Sequence, residues 1–173
     1  MSKAVMLSIR PKWCEKIASG EKTIEVRKTR PKLDMPFKCY IYCTQSGVAL
    51  GAWGKHGKVI GEFTCDRIFS INVFDNGSIQ NWLFEHMKRS CLTYEELAGY
   101  IGNGKTGHGW HIAELKIYDT PRELSEFRLA CPNSWYCESC AMHWENNGTC
   151  GNESLQIKRA PQSWCYVEAI DNV

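Results

Sequence analysis

The run Gly20-x-Lys22-x-x-Glu25-x-Arg27 sets a lysine, a glutamate and an arginine close together in the chain. A carboxylate flanked by cations can accept hydrogen bonds from the amino group of a base, while the cations hold phosphate. Taken locally, the same residues also fit a plain ion-pair ladder on an exposed strand, which contributes under ~1 kcal/mol per pair. Lys28 and Arg30 prolong the positive charge beyond Arg27.

A second constellation is Cys131-x5-Cys137-x2-Cys140-x9-Cys150. A C-x2-C pair brings two thiolates onto one tight turn, and two more cysteines nearby can complete a tetrahedron around Zn²⁺. The surrounding segment has few aliphatic residues to bury, so the expectation is a closed, structural zinc site, with His143 able to replace one cysteine. An iron–sulfur cluster takes the same ligands and is the rival identity; unligated surface thiols are the bland alternative.

A third pattern, Gly99-x4-Gly104-Lys105-Thr106, satisfies the phosphate-loop formula. That loop works only between a buried parallel strand and the helix whose N-terminus holds the phosphates. Here a helical pattern precedes it and a strand-like one follows. With five glycines between residues 99 and 109 it reads as a flexible loop, and the NTPase reading is rejected.

The elements that must position these residues follow from periodicity. Residues 5–9 form an apolar run of strand length. Pro11 opens a helix over 12–19, which Gly20 ends. Residues 23–28 alternate as a strand, with Ile24 and Val26 toward the core and Thr23, Glu25 and Arg27 on the other face. Strict alternation puts Lys22 on the Ile24 side, so it can join Glu25 only if the strand starts after it. Further strands are expected at 37–44, 58–73 (long enough to be two), 110–118 and 163–170. Helices are expected at 79–88 and 93–101, with a helical turn at 121–127. Residues 131–152 lack periodicity and form an insert. The sum is an α+β chain with a mixed or mostly antiparallel sheet that could curl into a small barrel.

Composition agrees with one globular domain over residues 1–173, since 43% of residues are hydrophobic and 23% charged. No stretch approaches a membrane helix, and the N-terminal apolar run is too short for a secretory signal, so a cytoplasmic protein is expected. The ten cysteines should then be reduced. Charge is uneven. Residues 1–40 hold ten Lys or Arg against four acids, whereas the whole chain is only +2. Such a dipole suits a phosphate-bearing partner at one face.

Ser8-Ile9-Arg10-Pro11 leads into the first helix, and G-x-K-x-x-E-x-R follows it. With Gly109-Trp110-His111-Ile112, Leu115-Lys116-Ile117-Tyr118-Asp119 and Pro161-Gln162-Ser163-Trp164-Cys165-Tyr166-Val167, these residues resemble the ASCH domains of the PUA-like superfamily, of the kind found in bacterial and prophage genomes. The resemblance implies a small β-barrel and a basic pocket for RNA or a modified nucleoside. Ser8, Arg10, Arg27, Lys28, Trp110 and Trp164 would be ligand contacts, the last two as stacking platforms.

It also implies an alternative, an amidohydrolase removing the acyl group of N4-acetylcytidine, or a ribonuclease. Lys22 and Glu25 would then be catalytic. Those amidohydrolases carry Thr where this chain has Glu25, and their second acid falls near Glu96.

Overall fold

The computed structural model describes residues 2–45, 55–80, 84–132, 140–141 and 150–170. Chain order runs β1 (Lys3–Ile9), α1 (Pro11–Ala18), β2 (Ile24–Arg27), β3 (Phe37–Cys43), β4 (Lys58–Cys65), β5 (Ile68–Val73), β6 (Ile79–Gln80), α2 (Phe84–Ser90), α3 (Tyr94–Ile101), β7 (Thr106–His111), β8 (Ala113–Arg122) and β9 (Trp164–Glu168), with short 3₁₀ turns at Leu124–Glu126 and Glu153–Leu155.

These strands form two sheets, one ordered β8-β4-β3-β1-β9 and the other β2-β7-β5-β6. Pairing is antiparallel throughout except between β1 and β3, which run parallel. The α+β expectation holds, but closure into a barrel does not. Two corners explain this. β4 passes into β5 through Asp66 and Arg67, and β7 passes into β8 through Ile112. At both corners the chain changes sheet, so the sheets face each other across a core and keep separate edges.

β1 is buried on both faces, which is why it reads as an unbroken apolar run. Val5, Leu7 and Ile9 meet Cys14 and Ile17 of α1 and Trp110 of β7 in the main core. Ala4 and Met6 pack on the opposite side with Tyr40, Phe127 and Val167. A third cluster joins β2 and β5 to α3 through Val26, Ile71, Val73, Leu97 and Ile101.

The expected helix over 79–88 splits. A tight turn, with Gly77 N–H donating to the Phe74 carbonyl at 2.8 Å, returns Ile79 against Val73 as β6 before α2 begins at Phe84. The run 58–73 is two strands, and 110–118 is also divided, with Ile112 donating to the Thr23 carbonyl at the break. α3 starts with a capping box, Thr93 and Glu96 each bonding the other's backbone N–H. The glycine loop after it follows a helix and enters β7, the reverse of phosphate-loop order. Among the described residues no helix is long and apolar enough to cross a membrane.

Candidate functional site

Gly20, at φ +80°, ends α1 in the left-handed region, and the chain turns so that the Lys22 N–H donates to the Lys16 carbonyl at 2.9 Å. Strand β2 begins only at Ile24, so Lys22 escapes the strand's alternation and points with Glu25. Its ammonium is 2.7 Å from the Ser90 carbonyl at the end of α2, 2.9 Å from the Ile24 carbonyl and 3.2 Å from Glu25 Oε2. Three acceptors take its three N–H donors. The other Glu25 oxygen, Oε1, lies 3.1 Å from Arg27 Nη2. Arg27 Nη2 also donates to the Ser8 carbonyl at 2.8 Å, and Nη1 reaches the carbonyl and hydroxyl of Ser163.

This is not the exposed ladder that local sequence allows. Lys22 is 2% exposed, and Glu25 and Arg27 are 6% each. Burying charge is costly unless every charge is paired and its remaining donors are satisfied. The ladder meets most of that demand; Arg27 Nε is the exception, buried with no partner.

The three side chains converge on one cavity of about 530 Å³. Arg10 and Trp13 from the start of α1 form one side, Glu96 and Tyr100 of α3 another, and Ser8, Gln162 and Ser163 close it from β1 and the approach to β9. Three cations (Arg10, Lys22, Arg27) face it against two carboxylates (Glu25, Glu96). Trp13 has the ammonium groups of Lys12 and Lys22 at 4.4 and 5.2 Å from its ring centroid. Burial raises the Tyr100 phenol above its ordinary range.

Ser8, Arg10, Lys22, Glu25 and Arg27 all line this cavity. Lys28 is exposed and lies outside the lining, its ammonium 5.3 Å from the Tyr100 ring. Trp110 is a correction. It has no solvent exposure and packs edge-on to Phe37, because alternation along β7 turns it into the main core. Trp164 sits between Trp110 and Tyr166, donates from Nε1 to Thr29 Oγ1 at 3.0 Å, and is not part of the lining. The aromatics that do face the cavity are Trp13 and Tyr100. Sequence reasoning passed over Tyr100, although it lies one helical turn after Glu96 on the same side of α3.

Cys137 and His143 lie outside the described residues. Cys131, Cys140 and Cys150 are part-buried free thiols. Among the described residues, no three His, Cys, Asp or Glu side chains gather to hold a metal ion.

The two-sheet arrangement is the fold of solved ASCH structures. The crystal structure of ASCH from Zymomonas mobilis has this fold. It superposes with a TM-score of 0.59 over 95% of this chain and 87% of that one, at 16% identity. Two mutants of that protein, one serine-to-alanine and one tyrosine-to-phenylalanine, match with TM-scores of 0.59 and 0.58 at 16% and 17% identity. No family model matches the sequence, and no curated protein does so either.

Proposed function

We propose that the cavity binds a single nucleotide unit of RNA, or a free modified nucleoside or nucleotide. The observation that carries this reading is the meeting of Lys22, Glu25 and Arg27 in one hollow beside Trp13 and Tyr100. At about 530 Å³ the space falls within the range of small-ligand pockets and is far too small for a duplex. Arg10 and Arg27 supply charge for a phosphate, the Glu25 and Glu96 carboxylates accept from an exocyclic amine, and the two aromatic walls offer stacking.

Binding of fluorescent single-stranded RNA should weaken steeply as salt rises, since phosphate contact releases counterions. Arg10→Ala should reduce both affinity and salt slope while leaving the buried ladder intact. Salt-independent binding of RNA would remove the phosphate contact, and failure to bind RNA, nucleotide and nucleoside alike overturns the reading.

One observation favours a second reading, amide hydrolysis of an N4-acylated cytidine: Glu96 shares the cavity with Lys22. Against a nucleophilic Lys22 stands its hydrogen bonding, for all three donors are occupied. Incubation with N4-acetylcytidine decides between them; release of cytidine that disappears in Glu96→Gln would establish the enzyme. Zn²⁺ held by Cys131, Cys137, Cys140 and Cys150 is a separate proposal, a structural one that rests on cysteine spacing.

A further inference from the structure

β2 ends its sheet, so one of its long edges pairs with β7 and the other is open. The hydrogen bonds around β7 fix which main-chain groups lie on that open edge. On the β5 side, the His111 N–H donates to the Arg67 carbonyl at 2.9 Å and the Val73 N–H to the Lys105 carbonyl at 3.0 Å. Main-chain groups alternate between the two edges of a strand, so odd-numbered residues of β7 serve β5 and even-numbered ones serve β2. The Ile112 N–H, donating to the Thr23 carbonyl at 2.9 Å, obeys the same rule. With Glu25 opposite Trp110 and Arg27 opposite His108, Glu25 and Arg27 turn their N–H and C=O groups to β7. Ile24, Val26 and Lys28 turn theirs to the open edge.

Two of these three are engaged there. The Ile24 carbonyl accepts from the Lys22 ammonium at 2.9 Å, and the Lys28 backbone bonds the Tyr100 phenol. Val26 lies between them and lines the cavity, while its side chain packs with Ile71, Val73, Leu97 and Ile101. Its main chain is thus what faces the hollow, and among the described residues no group outside the strand ladder bonds it. A buried N–H and C=O are costly to leave unpaired. Arg27, 6% exposed and also in the lining, keeps Nε buried without a partner on the same wall.

We propose that the main chain of Val26 reads the base of the bound nucleotide: its N–H donates to an acceptor on the Watson–Crick edge, and its carbonyl accepts from the N–H beside it. This rests on the nucleotide reading of the cavity and assigns the group that recognises the base. The N–H and C=O of one strand residue point the same way, and every nucleobase carries a donor next to an acceptor on that edge. Arg27 Nε remains for a further oxygen, of a phosphate or a base carbonyl. An open strand edge also invites an added peptide strand, but such pairing runs along alternate residues. Here Lys22 and Tyr100 stop the edge on either side of Val26. One planar group fits between them.

The test follows the amide signals of the ¹⁵N-labelled full chain while each of the common ribonucleoside 5′-monophosphates is added. For any that binds, the Val26 proton should move downfield and its hydrogen exchange should slow by about tenfold, the size of one net hydrogen bond. The Glu25 and Arg27 amides, which already serve the ladder, should change little. A methyl group on the Watson–Crick ring nitrogen of the tightest binder should weaken it by about tenfold. Signals that move at Arg10 and Tyr100 with Val26 unaffected would overturn the proposal and leave the nucleotide reading standing. No response of any cavity residue to monophosphates, nucleosides or single-stranded RNA would remove both. Protection of Val26 by an acetylated pentathreonine peptide, and by no nucleotide, would assign the edge to strand addition and overturn the proposal as well.

Discussion

Arg27 reaches out of its own sheet to the Ser8 carbonyl, 2.8 Å from Nη2, and so fastens β2 to the end of β1. The same guanidinium holds Glu25 at 3.1 Å, which makes it structural mortar as well as cavity lining. Replacing it with Met should leave Glu25 buried with only Lys22 for compensation. Chemical denaturation is expected to show a loss of about 3–5 kcal/mol, the usual consequence of breaking a buried pair from one side. Arg27→Lys keeps the charge without the fork and should fall between the two.

Tyr100 and Trp110 should separate binding from stability. Tyr100 is 39% exposed at the cavity, so Tyr100→Ala should weaken RNA binding by about 1–3 kcal/mol with little change in Tm, and Tyr100→Phe should retain most of the affinity. Trp110→Ala should do the opposite, costing about 3–5 kcal/mol of stability through an unfilled core cavity. Titration and thermal melts on both variants check the pair.

Gly61 of β4 pairs with Ile117 of β8 beside a shift in register. A Cβ there would come 2.5 Å from the Lys116 carbonyl oxygen and 3.1 Å from Ile117 Cα, both backbone atoms that cannot swing aside. Gly61→Ala is therefore expected to destabilise by about 1–3 kcal/mol, read from the denaturation midpoint.

Asp66 and His111 join the two corners of the fold, with Oδ1 and Nδ1 2.6 Å apart. The hydrogen bond to His111 holds the Asp66 carboxyl below its ordinary range. Its contribution is thus present above the unfolded carboxyl's range and fades as pH drops through the folded one. Wild type and Asp66→Asn should differ at neutral pH and converge in acid. The gap should stay under ~1 kcal/mol, since the pair is partly solvated.

Metal analysis of the purified chain should find about one Zn²⁺ per molecule if the four cysteines form a closed tetrahedral site. A metal-free protein whose melting is unmoved by chelator would remove that proposal.

Much of the fold was legible because its signals are local. Pro11 and Gly20 bracket α1, the apolar run of β1 announces a strand covered on both faces, and Thr93 with Glu96 marks the start of α3. The members of the ion ladder could also be read from their spacing. Their burial could not, because it depends on Ser90, Ser163 and α3, which arrive from distant parts of the chain. Trp110 misled for the same reason. Its neighbours in sequence say nothing about Phe37, which fixes it in the core. The separation of β6 from α2 was hidden because Ile79 and Met87 fit one helical period as well as a short strand followed by a separate helix.

The contact between Arg27 and Ser163 spans 136 positions. A ribosome making this protein therefore releases the lysine, glutamate and arginine long before the segment that roofs them emerges. Until then three charges destined for burial stay bathed in water, and the nascent chain has no finished recess with which to capture a ligand.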